Sequence, residues 1–127
     1  MNRFWIVANI VRSKLNRLNN KAFKTVVLNY LLDNCVSPYY IRNALANILP
    51  FSMGIEGEIQ RFRRMCIFSA EFNQNYRFKK EVRDKFWKDH IDIIPREILI
   101  FALANDINEN RSYELSNNIL HHLPKIL

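Results

Sequence analysis

The sequence predicts an all-α fold, a small helical bundle in a single domain. Three observations carry that expectation. Only two Gly and four Pro interrupt 127 residues, which leaves little turn chemistry for hairpins. Apolar residues recur every three or four positions over most of the chain, the period of one helix face. A hydrophobic content of 49% supplies one core, in a chain too short for two ordinary domains.

The elements follow in order. Phe4, Val7, Val11, Leu15, Leu18 and Ala22 form one apolar stripe on a basic, acid-free N-terminal helix. That pattern marks a mitochondrial presequence as well as a packed helix, although Ser13 alone supplies the serine of a transit peptide. The run is too short and too often broken by Arg and Asn to span a membrane. Lys21 to Asp33 carries Phe23, Val26, Val27, Tyr30 and Leu31 on one side. Ser37-Pro38 then reads as a capping hydroxyl with Pro in the first turn, opening a helix from Tyr39 to Leu49 that Pro50 closes.

Gly54 and Gly57 loosen the entry to a helix over Ile55 to Ala70, with Ile55, Ile59, Phe62 and Cys66 facing inward. A fifth helix, Asn75 to His90, is expected to bury Phe78, Val82 and Phe86. Pro95 starts a sixth with Ile98, Phe101, Ala102 and Ile107 inside, and Tyr113 to His122 makes a short last one.

Charge is distributed in blocks. The net charge is +7, with +6 in residues 1–32, −2 in 33–60, +6 in 61–88 and −3 in 89–127. The two basic blocks suit phosphate backbones, anionic membranes or acidic protein helices. Cys35 and Cys66 lie in apolar patterns without metal-site spacing and are expected to be buried free thiols. His121 and His122 are adjacent and diverge by about 100° on a helix, so they do not converge on one metal. His90 lies near a helix end, a common capping position. No carboxylate pair, Ser/His/Asp set or Gly-rich phosphate loop occurs at usable spacing, so a non-catalytic protein is expected.

Aromatic and basic residues share a helical spacing from Ile59 to Phe86. Arg61-Phe62-Arg63 is followed by Phe72, then by Tyr76-Arg77 and by Val82-Arg83-Asp84-Lys85-Phe86, and Pro95 precedes Glu97, Ile98 and Leu99. This set resembles the mitochondrial LYR-motif family of small helical subunits and assembly factors. Arg61-Phe62-Arg63 stands where the family has Leu-Tyr-Arg, departing at two of three positions, and the likeness covers about Gly54 to Pro124.

The resemblance implies a three-helix bundle over 54–124 and leaves the first fifty residues unexplained; residues 1–50 read as two or three additional basic N-terminal helices with a targeting or anchoring role. The resemblance also implies a mitochondrial, matrix-side protein that binds acyl carrier protein and docks on a respiratory complex, a mitoribosome or an iron–sulfur assembly enzyme. No cofactor is held directly; an acyl-phosphopantetheine arrives on the carrier protein. Arg63, Arg77, Lys80 and Arg83 then face its acidic helix, and Phe62, Cys66, Phe72, Phe78, Val82 and Phe86 line an acyl tunnel. Plain core packing of those apolar side chains is the alternative.

A second reading is a cytoplasmic or nuclear nucleic-acid binder. Leu28 to Leu49 has a helix-turn-helix outline, with Arg42, Asn43 and Asn47 on its second helix, and Arg3, Arg12, Lys14, Arg17, Lys21 and Lys24 form a basic arm for ribosomal RNA. A helical adaptor with neither partner is the third.

Overall fold

A computed structural model describes residues 3–48, 54–68 and 79–110. Among them lie six helices and no strand: α1 Arg3–Leu15, α2 Asn20–Asp33, α3 Pro38–Asn47, α4 Glu56–Phe68, α5 Lys80–His90 and α6 Arg96–Asn110. The fold is all-α, as the periodicity and the scarcity of Gly and Pro predict.

Helix α6 is the axis of the bundle. Every residue from Ile98 to Ala104 is buried, so the helix is covered on all faces rather than along one stripe. Helix α1 makes the most extensive contact with it, and α2, α3 and α4 pack against other sides. The α1 stripe of Phe4, Val7, Ala8, Val11 and Leu15 belongs to the same apolar cluster as α6, Phe62 of α4 and Trp87 of α5. Phe4 and Trp5 both meet the ring of Phe101, at centroid distances of 5.6 and 5.5 Å. One core therefore joins the N-terminal helices to the described part of the segment carrying the LYR resemblance.

Several boundaries differ from expectation for identifiable reasons. The stripe does not run on to Ala22 in one helix, because the chain turns after Leu15 and Asn19 restarts it: the Asn19 side chain accepts from the Ala22 amide at 2.9 Å. Ser37 does occupy the N-cap of α3, yet its hydroxyl makes no capping bond. Helix α5 begins at Lys80, since Lys79 is extended (φ −113°, ψ 119°); residues 75–78 of the expected helix lie outside the described residues. So do 69–70, Leu49 and the expected helix from Tyr113 to His122.

Helix α2 ends in a Schellman motif. The Val36 amide donates to the Leu31 carbonyl at 3.0 Å and the Cys35 amide to that of Leu32 at 3.2 Å. This geometry places Cys35 in the left-handed region (φ 52°), the position glycine usually fills. It also turns Cys35 outward: only Cys66 is buried, which corrects the expectation that both thiols are.

Two cations lock the helix ends across the core. Lys24 is buried, and its Nζ donates to the carbonyls of Ile91 (2.7 Å), Asp92 (3.0 Å) and Ile94 (2.7 Å) in the α5–α6 turn. Burial lowers its pKa from the ordinary lysine value, with Asp92 pulling the other way. Arg96 does the reverse from the start of α6. Its Nη2 and Nη1 donate to Leu15 (2.7 Å) and Leu18 (3.1 Å) in the α1–α2 turn, and its guanidinium lies 4.1 Å from the Phe23 ring centroid. Carbonyls in and around helix C-terminal turns have few intrahelical donors, so each cation supplies donors to the turn of the other helix pair. Lower in the bundle, the Tyr30 hydroxyl donates to buried Asp106 at 2.6 Å, tying α2 to α6.

Lys24→Met keeps the volume but strips three carbonyls of their donor, and should destabilise by about 3 kcal/mol in urea unfolding at neutral pH; an unchanged midpoint would contradict the clamp. Cys35→Gly removes the left-handed penalty and should stabilise by about 1 kcal/mol in the same assay; a loss of stability would mean that Cys35 earns its place by contacts.

Candidate functional site

The aromatic residues of the Ile59–Phe86 segment assemble into core. Phe62, 1% exposed, lies nearly parallel to Trp87 (17° between planes, 6.1 Å between centroids) and meets Phe86 edge-on at 6.1 Å. Trp87 is fully buried and donates its indole N–H to the Val36 carbonyl at 2.8 Å, pinning α5 to the α2–α3 turn. Phe86 stacks on His90 at 4.4 Å. His90 Nδ1 lies 2.8 Å from the Phe86 carbonyl, and because a carbonyl only accepts, that nitrogen carries a proton. This bears out the helix-end reading of His90.

Cys66 is fully buried, and burial pushes its thiol up to about 12 against a smaller opposing effect of Arg42. Val82 is half-buried against the core. Phe72, Arg77 and Phe78 lie outside the described residues. The described members of the expected tunnel set thus fill space with one another.

The basic residues divide sharply by role. Arg63 is half-buried, donating to Gln60 at 3.1 Å, and Arg83 is half-buried too. The Nε of each is buried without a hydrogen-bond partner, so neither is the plain surface residue its position suggested. Lys80 is exposed and bonded to Asp84 one turn on; that bond, with the carboxylate charge, raises its pKa.

Of the expected nucleic-acid set, Arg3, Lys14, Arg17 and Lys21 are exposed. Arg12 is engaged with Glu97 and with Asn9, Lys24 is the buried clamp, and Arg42 lies over the Tyr39 ring at 5.2 Å. Lys24 is therefore removed from any phosphate-binding face, because its ammonium is already saturated with carbonyls. Asn43 and Asn47 remain exposed on α3.

A cavity of about 550 Å³ opens elsewhere, between the α2–α3 turn, α3, Arg83 of α5 and the C-terminal end of α6. Its polar lining includes Ser37, Arg83, Asn105, Asp106 and Glu109, and Ile41 and Ala44 provide apolar wall. Ser37 Oγ and Arg83 Nε are both buried and unpartnered. Among the described residues no group of three His, Cys, Asp or Glu side chains is placed to hold a metal ion, and no helix is long and apolar enough to cross a membrane.

Sequence reasoning singled out Arg83 and placed Ser37 as an N-cap, but missed its idle hydroxyl, Asp106 and the structural roles of Lys24 and Arg96. A signal for Lys24 was present: Val27, Leu28 and Leu31 follow it at i+3, i+4 and i+7, which places it on the apolar face. The cavity had no such signal, since its walls come from segments about seventy residues apart. No family model matches the chain, and neither a curated protein nor a solved structure matches it.

The two cysteines should separate cleanly in a thiol assay on the native protein. Cys35, exposed, should react with a disulfide reagent within minutes at pH 8, and Cys66 only on unfolding; two thiols reacting at one fast rate would contradict the packing around Cys66.

Proposed function

We propose that this protein is a non-catalytic helical adaptor that docks on an acidic protein partner, with acyl carrier protein as the partner the LYR resemblance implies. The observation that carries this reading is a set of uncommitted cations. Arg61 and Arg64, one turn apart on α4, and Lys79 and Lys88 at the two ends of α5 are exposed, and none forms an ion pair with another described residue. Cations left unneutralised within the fold raise the rate and specificity of encounter with an acidic helix or a phosphodiester.

The proposal is one of docking. Phe62, Cys66 and Phe86 offer almost no open surface, so it assigns no acyl chain to the space between them. A mitochondrial matrix setting and a larger client complex belong to the same reading and rest on the resemblance alone.

A second reading has one observation in its favour. Lys14, Arg17 and Lys21 are exposed together around the α1–α2 turn, a compact cationic elbow that suits an RNA backbone.

The two readings part in one experiment. Purified holo-acyl carrier protein and a ribosomal RNA fragment are titrated separately against the wild type and an Arg61→Glu/Arg64→Glu double variant, with fluorescence anisotropy as readout. Docking predicts carrier-protein binding that weakens at least tenfold in the variant and with added salt. Carrier-protein binding that is absent, or unchanged by the double reversal, overturns it; tight RNA binding insensitive to the reversal moves the assignment to the elbow.

A further inference from the structure

We infer that the cavity at the α2–α3 turn is a binding site for a small zwitterion of the amino-acid type. The inference is independent of the docking surface, which lies on other residues.

Two of its walls carry opposite charge. The first is the start of α3 together with Arg83. Ser37 holds the N-cap position, is only 7% exposed and leaves Oγ without a partner. The first turn of α3 contains no acidic residue, so the positive end of this ten-residue helix is not neutralised by its own side chains. Arg83 adds a guanidinium whose Nε is likewise unpartnered. A carboxylate is the group that an idle hydroxyl, a helix N-terminus and a guanidinium bind in common.

The second wall is the end of α6. Asp106 and Glu109 stand three residues apart, hence on one helix face, and both line the cavity. Neither forms an ion pair with Arg83. Asp106 accepts the Tyr30 hydroxyl on Oδ2, which fixes its orientation, while Glu109 is exposed. Two carboxylates on one face draw an ammonium.

Simpler ligands fit less well. A bare anion such as phosphate would be attracted by the first wall and repelled by the second; a simple cation would meet Arg83. A molecule with both signs satisfies both walls, and Val36, Ile41 and Ala44 give its carbon skeleton an apolar surface. A volume of about 550 Å³ also leaves room for a side chain beyond the backbone atoms.

The test titrates each of the twenty common amino acids singly into the full chain, followed by NMR amide shifts, with sodium acetate, methylammonium and inorganic phosphate as partial ligands. At least one amino acid should bind saturably and shift the amides around Ser37 and Glu109, with every partial ligand at least tenfold weaker. Arg83→Gln and Glu109→Gln should each weaken that binding about tenfold. Glu109 is exposed and carries no packing role, so its variant remains informative if Arg83→Gln fails to fold. No saturable shift with any amino acid, or phosphate binding as tightly as the best amino acid and unaffected by Glu109→Gln, overturns the inference.

Discussion

Burial of α6 on every side is the constraint from which the rest of the structure follows. A helix whose residues 98–104 are all buried has no solvent face, and α1 to α4 pack around it. Helix α1 supplies the largest cover, and withdrawing it would expose Phe101 and its neighbours to water. Each large side chain so exposed forfeits roughly 1.5–3 kcal/mol of transfer free energy. The basic N-terminal stripe is therefore part of the core in this fold.

Enclosing a helix this way leaves the turns between its neighbours near the core, where unpaired carbonyls are expensive. Lys24 and Arg96 resolve that problem reciprocally. Each cation leaves one helix pair and ends on the carbonyls of the other, so the α1–α2 and α5–α6 turns hold each other's ends. Two residues that count toward the net charge of +7 are thereby committed to architecture. Among the described residues, the exposed cations outside ion pairs lie mainly on α4, at the ends of α5 and at the α1–α2 elbow.

The sequence carried the helices and most of the core, because period and packing agree along α2 and α4, whereas in α6 Leu99, Ile100, Leu103 and Ala104 are buried beyond the predicted stripe. Phe23, Val26, Val27, Tyr30 and Leu31 are all buried as their spacing predicts, and so are Ile59, Phe62, Ile98 and Ile107. What it could not carry were contacts made across long separations. The aromatic spacing of Phe62 and Phe86 fits a ligand tunnel and a packed core equally well, and it does not disclose that Trp87 stacks on Phe62 and is tied to Val36. Ser37 was legible as an N-cap position, whereas its idle hydroxyl was not, since that depends on what faces it. The cavity beside it joins a turn near residue 35 to the end of a helix near residue 109, which no local pattern encodes.

Native-state hydrogen exchange tests the central role of α6 most directly. If α1 and α6 share one core, the amides of Val7 to Val11 and of Ile98 to Ala104 should exchange with the same free energy, that of global unfolding. Exchange of α1 far sooner than that of α6 would show that α1 detaches while the rest stays folded, and the account of α6 as a helix enclosed by α1 to α4 would fail.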